Sequence, residues 1–246
     1  MYSLTHMLFD KNVQLFQKIF CVLEKEEPMS SFESRIVKFP SKRYGAVVPM
    51  KAIPGHFVTN HSHINYYIDL TTMKSRLSEV KQCAHVLAQQ YANTTIPIDT
   101  IVCLDGTEII GAFLARELED AGHSIHNAHK SIYVITPERT ANSQLFFREN
   151  VEPMVRGKNV ILLMASVTTG ISIRRGIECM GYYGGLIRGV ATLFSAVGQM
   201  DGIQVNTIFT SEDIPGYASY DRHNCPFCQK NVPVEAIVNS FGYSKL

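Results

Sequence analysis

Charge is scarce in this chain. Asp, Glu, Lys and Arg make up 18 % of its 246 residues, below the roughly 25 % typical of soluble chains. Neither sign dominates: 23 basic residues face 22 acidic ones, for a net charge of +1. That balance argues against wholesale attraction to nucleic acid or to an anionic membrane. Long apolar runs are missing as well, since no segment reaches the roughly 18 unbroken residues a membrane-spanning helix needs. The apolar stretch at the N-terminus has no basic lead-in and is interrupted by Asp10 and Lys11, so it does not read as a signal peptide. There are six cysteines, of which Cys21, Cys83, Cys103 and Cys179 stand singly; this is no disulfide framework. What these absences leave is a reduced, cytoplasmic protein. With 46 % hydrophobic residues, it needs a large core, a buried subunit contact, or both. A disordered chain, a coiled coil and a collagen-like repeat are excluded.

From Leu8 to Leu23 apolar residues recur at helical spacing and predict an amphipathic helix. Residues 27–42 are polar, with Pro28 and Pro40, and read as an arm. Tyr44–Met50 and Tyr66–Leu70 read as strands. A helix is expected from Thr71 or Thr72 to about Tyr91, with Met73, Leu77, Val80, Ala84, Leu87 and Ala88 on one stripe. Beyond Pro97, apolar runs at Ile98–Leu104, Ser131–Thr136, Asn159–Met164, Gly185–Phe194 and Ile203–Phe209 alternate with helical stretches. One of those follows Glu108 and ends at Gly122 as its C-cap; another runs from Ser172 to about Tyr183. The repetition predicts βαβ units, hence an α/β fold with a mostly parallel sheet flanked by helices. The expected organisation is an N-terminal helix and arm (1–39), an α/β domain (40–215) and a small C-terminal tail carrying a Cys-x-x-Cys pair (216–246).

In open α/β sheets, ligands sit beyond the carboxyl ends of strands. The turn over Ser166, Val167, Thr168, Thr169, Gly170, Ile171 and Ser172 places hydroxyls and a glycine at a helix N-terminus. Exposed amides and the helix dipole make such a turn a phosphate site; an ordinary Ser/Thr helix cap accounts for the same composition equally well. No Walker lysine follows the glycine, which removes the P-loop nucleotidases.

These residues resemble the phosphoribosyl-pyrophosphate (PRPP) loop of the type I phosphoribosyltransferases. Val160–Leu163 matches the apolar strand of that motif, and Thr168-Thr169-Gly170-Ile171-Ser172 matches its turn. The turn Asp105-Gly106-Thr107 resembles the family's pyrophosphate loop, and Phe57–Asp69, with Phe57, Tyr66 and Tyr67, resembles the substrate side of the orotate-type members. The resemblance implies transfer of phosphoribose from PRPP to a nucleobase, with Mg²⁺ assisting, in a cytoplasmic homodimer. It implies a small-molecule phosphoribosyl ligand, and neither nucleic acid nor membrane as partner. Two departures stand out. Met164 and Ala165 occupy the places of the acid pair that would hold the ribose hydroxyls. The stretch matching the mobile loop, residues 137–150, offers Arg139 and Arg148 but no lysine, and arginine is not an equivalent substitute. The alternative is therefore a catalytically inactive nucleotide- or phosphoribose-binding regulatory protein. A third reading makes the N-terminal helix and the cysteine tail an assembly module.

Outside that resemblance, Cys225-Pro226-Phe227-Cys228 is half of a tetrahedral Zn²⁺ site; a dithiol hairpin or plain packing are the other readings. A second Cys-x-x-Cys is lacking, so His223, one of the four single cysteines, or the same pair of a second subunit would have to complete it. His56, His61 and His63 cluster without an H-E-x-x-H arrangement. They read as polar contacts near a ligand or as surface histidines. Glu108 suits a helix N-terminus, and Arg174 and Arg175 a solvated face.

Overall fold

The computed structural model describes residues 32–91, 96–120 and 131–246. The expected helix over 8–23 and the cap at Gly122 lie outside the described residues. Val37–Leu246 form one compact unit. Ahead of it, Glu33–Arg35 make one 3-10 turn.

In the compact unit the chain begins with β1 (Val37–Ser41), β2 (Gly45–Val58) and β3 (His63–Asp69), then α1 (Thr71–Ser75) and α2 (Leu77–Gln89). Next come β4 (Thr100–Cys103), α3 (Glu108–Asp120), β5 (Tyr133–Ile135) and the short pair β6 (Glu138–Arg139) and β7 (Leu145–Phe146). They are followed by β8 (Asn159–Val167), α4 (Ile171–Tyr182), β9 (Leu186–Ser195), β10 (Gln199–Met200) and β11 (Ile203–Thr210). The C-terminal stretch supplies β12 (Ser219–Tyr220), α5 (Pro226–Gln229), β13 (Ala236–Asn239) and β14 (Gly242–Lys245). None of the described helices is long and apolar enough to cross a membrane.

The fold is α/β with a mostly parallel sheet flanked by helices, as the alternation of elements predicts. That sheet runs β10-β11-β9-β8-β4-β5, parallel throughout except for the edge strand β10. Its central strands are covered on both faces, which explains their unbroken apolar sequence. Along β8, Ile161, Leu163 and Ala165 join the core under α2 and α3, while Val160, Leu162 and Met164 join the core under α4. A second sheet runs β12-β3-β2-β13-β14, with β1 beside β2. All its pairings are antiparallel except β13 on β2.

Three details depart from the reading of the sequence. Val37–Ser41, expected to be part of an arm, is a strand laid along β2. The long helix after Thr71 is broken at Arg76, whose ψ of 116° is extended; the break leaves Leu77 54 % exposed although its spacing places it on the apolar stripe. The C-terminal stretch is woven into the second sheet through β12 and β13.

Helix α3 packs on β4 through Gly111, where an added Cβ would lie 2.4 Å from the Cys103 sulfur and 3.0 Å from Val134. Gly181 in α4 has nothing within 4 Å. Gly111→Ala should therefore lose about 1–2 kcal/mol of stability, overpacking outweighing alanine's helix preference. Gly181→Ala should gain about 0.5–1 kcal/mol. Urea unfolding of the two variants checks both signs.

Candidate functional site

At the carboxyl end of β8 the strand continues through Ser166 and Val167, which pair with Phe194 and Ser195 of β9. The chain then turns at Thr168–Gly170. Gly170 takes φ +80°, a left-handed conformation open to glycine at little cost, and α4 starts at Ile171. A Cβ on Gly170 would lie 2.0 Å from the terminal carbon of Met200, so β10 closes over that glycine. Val167 is buried, and Thr169 and Ile171 are exposed.

Ser166, Thr168 and Ser172 open onto a cavity of about 320 Å³, within the roughly 300–1,000 Å³ of ligand pockets. Arg175, one turn into α4, lines it as well. Arg174 turns aside to Asp201, 3.6 Å away. The first turn of α4 therefore presents hydroxyls, a guanidinium and the positive end of a helix dipole to one space, a combination suited to an anion.

The second wall is the turn after β4. Asp105 and Gly106 take φ of +60° and +75° in succession; for a non-glycine residue that is a sparsely populated conformation, of the kind that clusters at functional sites. The Asp105 side chain lines the cavity, 3.5 Å from the Arg139 guanidinium of β6. Its main-chain oxygen accepts a hydrogen bond from Lys74 Nζ at 3.0 Å. Burial pushes the Asp105 carboxyl above its ordinary range, against the pull of Arg139, a hydrogen bond from Ser240, and Lys74. Gly106 lies beside Phe241 and Lys74. Thr107 is fully buried, its hydroxyl 2.8 Å from the Leu104 carbonyl and 3.2 Å from that of Leu163; it joins β4 to β8 rather than facing a ligand. Glu108 heads α3 and accepts from Thr136 at 3.0 Å. Arg148 is engaged by Glu138 at 2.7 and 2.8 Å.

The second sheet forms the remaining side of the cavity. Tyr67 lines it, whereas Tyr66 points elsewhere and meets Phe39 edge-on. Phe57 is fully buried in ring contact with Tyr67 and is not part of the lining; its placement on the substrate side becomes a packing role behind Tyr67. Sequence reading missed Tyr217, which lines the cavity and whose buried hydroxyl has no hydrogen-bond partner among the described residues. It also missed Val238–Phe241, which lead from the end of β13 along the cavity wall, and Lys74, which ties Ser240 to Asp105 through its ammonium group.

Met164 and Ala165 are both 0 % exposed and belong to the cores on opposite faces of the sheet. Neither side chain reaches the cavity.

A different cluster lies at the C-terminal end of β2. His56, His63, Cys225 and Cys228 bring their ligand atoms within 4.8 Å of one another, a group able to hold a metal ion. This corrects two expectations. His56 and His63 stand with the Cys-x-x-Cys pair rather than acting as ligand contacts or surface residues, while His61 lines the cavity. His223 lies outside the group; its amide is bonded to the Asp221 side chain.

No family model matches the chain. An orotate phosphoribosyltransferase of Pelotomaculum thermopropionicum is 26 % identical over 184 residues, covering 74 % of this chain and 87 % of that protein. The chain is similar to the orotate-type phosphoribosyltransferases. Among solved structures, the UMP synthase of Leishmania donovani aligns with a TM-score of 0.50 at 15 % identity, over 65 % of this chain and 34 % of that one. An orotate phosphoribosyltransferase of Mycobacterium tuberculosis aligns at 0.46 and 17 %, over 67 % and 91 %. The first of these structures supports a shared fold. The orotate-type resemblance carried by residues 57–69, 104–107 and 160–172 thus agrees with the curated relative.

Because burial raises the Asp105 carboxyl, the folded state holds its proton more tightly than the unfolded chain. Stability is then lost as pH rises through the interval between the unfolded and folded values, and the cost persists above it. Asp105→Asn should accordingly melt higher than the wild type at pH 7, and the gap should narrow toward pH 4. Thermal melts across that range check it; a variant less stable at pH 7 would make the Arg139 ion pair the dominant influence instead.

Proposed function

We propose that the cavity binds PRPP or a ribonucleotide 5′-phosphate, with the phosphate at Thr168 and Ser172 and the base against the second sheet. The observation that carries this reading is the convergence of a helix N-terminus, three hydroxyl side chains and Arg175 on one cavity. Ile64, Tyr67, Phe194 and Phe241 also line the cavity, apolar enough together to receive a flat base. The similarity to an orotate phosphoribosyltransferase supports the same ligand class.

The residues present do not fit a Mg²⁺ site. Asp105 is the cavity's one carboxylate among the described residues, and Arg139 already engages it. With apolar side chains at Met164 and Ala165, no carboxylate at those positions holds the ribose hydroxyls. Each such charge-assisted contact contributes on the order of 1.5–3 kcal/mol, so losing both weakens turnover more than phosphate binding. The best-supported function is therefore binding, as a sensor or regulatory protein. Phosphoribosyl transfer is the second reading, favoured by Arg139 and Arg175, whose guanidinium groups can take up charge on a departing pyrophosphate by bidentate contact.

A ligand that prefers the native state raises the melting temperature, by an amount equivalent to about 2.7 kcal/mol at a hundredfold excess over Kd. PRPP or a nucleoside 5′-monophosphate is expected to do so, and Thr168→Val with Ser172→Ala to weaken binding at least tenfold. If neither compound shifts the wild-type melt, the reading fails. Pyrophosphate release from PRPP with a panel of bases separates transfer from binding alone.

A further inference from the structure

The geometry points to a structural zinc centre ligated by His56 Nε2, His63 Nδ1, Cys225 Sγ and Cys228 Sγ, which fastens the C-terminal segment to the second sheet. The inference is independent of what the cavity binds.

The ligands arrive from three places. His56 lies where the β2–β3 ladder slips by one residue, between Pro54 and Phe57; such irregularities re-aim a side chain. His63 opens β3 and faces Val58 across the ladder. The two imidazoles meet with ring centroids 5.1 Å apart and nitrogens 2.9 Å apart. Cys225 immediately precedes α5 and Cys228 lies within it, the knuckle spacing in which two thiolates reach one ion. His56 Nε2 is 3.5 Å from the Cys225 sulfur and 3.7 Å from that of Cys228, and His63 Nδ1 is 3.4 Å from Cys228.

These distances are those of ligands around a shared centre. Tetrahedral Zn²⁺ with bonds of about 2.0–2.1 Å to nitrogen and about 2.3 Å to sulfur sets neighbouring N and S roughly 3.6 Å apart. The nitrogen pair needs to open by only a few tenths of an ångström. A donor set of two thiolates and two imidazoles selects zinc over the oxygen-seeking Mg²⁺.

The surroundings complete the site. His56 Nδ1 lies 2.9 Å from the Val232 carbonyl. Donating its proton there leaves Nε2 bare and aimed at the cluster, the outer contact that metal-bound histidines ordinarily make. Phe227 stacks on the His56 ring at 5.2 Å and 19°, fixing its plane. His56, His63 and Cys225 are buried while Cys228 is exposed, so an ion has access from solvent. Binding takes one proton from each thiol, and the resulting Zn²⁺ with two thiolates and two neutral imidazoles carries no net charge, which suits a mostly buried place.

The segment held in this way leads directly to β13. Glu235 donates its amide to the His56 carbonyl at 2.9 Å, and Ala236 and Ile237 pair with Phe57 and Val58. The metal thus secures a parallel strand whose register with β2 extends over only two residue pairs.

The test uses the full chain. Elemental analysis of protein purified without chelator should give about one zinc per chain, and cobalt-substituted protein should show the strong visible absorption of a tetrahedral thiolate site. Cys228→Ser, at the exposed ligand, should lower zinc content to near zero while circular dichroism reports a folded chain; His223→Ala should retain the metal. Chelation should speed hydrogen exchange in Ala236–Asn239 of the wild type. Absence of bound zinc in a folded wild type reconstituted with Zn²⁺, a native Cys225–Cys228 disulfide found by mass spectrometry, or full zinc retention by Cys228→Ser would overturn the proposal.

Discussion

Because both faces of β8 are buried, that strand can present to a ligand only what lies beyond Ala165. Residues 160–165 alternate between two cores and are fully enclosed. The same enclosure that stabilises the strand keeps Met164 and Ala165 from the cavity. Polar chemistry therefore starts at Ser166 and continues through Thr168 to Ser172, where the backbone turns on a left-handed glycine. A helix N-terminus suited to an anion thus begins where this enclosure ends, while Met164 and Ala165 lie inside it.

The cavity depends equally on the C-terminal stretch. Val238–Phe241 reach it only because β13 is paired with β2. Lys74 then joins the Ser240 carbonyl to that of Asp105, so one ammonium group holds two walls together. Burial moves the Lys74 pKa down, against the neighbouring carboxylates. Fastening β13 near its start, at the histidine–cysteine cluster, would serve the same end.

Local pattern carried much of the fold. Apolar runs marked the strands of the parallel sheet, and their polar turns marked both loops that meet at the cavity. Patterns with distant partners were illegible. β1 hides among polar residues because it is an edge beside β2, and the break at Arg76 leaves no trace in a stripe that continues through Leu77. The histidine–cysteine cluster was half visible as Cys-x-x-Cys, yet His56 lies 169 residues from Cys225, and no spacing rule joins them. Tyr66 and Tyr67 show the limit well: alternation predicts that only one faces a ligand, and it takes the pairing register to identify Tyr67.

The claim on which most rests is that a sugar phosphate settles where β8 gives way to α4. A crystal structure of the protein grown with ribose 5-phosphate tests it most directly. The phosphate should lie within hydrogen-bonding distance of the Thr168 and Ser172 hydroxyls, close to Arg175, with the ribose directed toward Tyr67. A sugar phosphate bound at another place on the protein, with this cavity holding only solvent, would contradict the account.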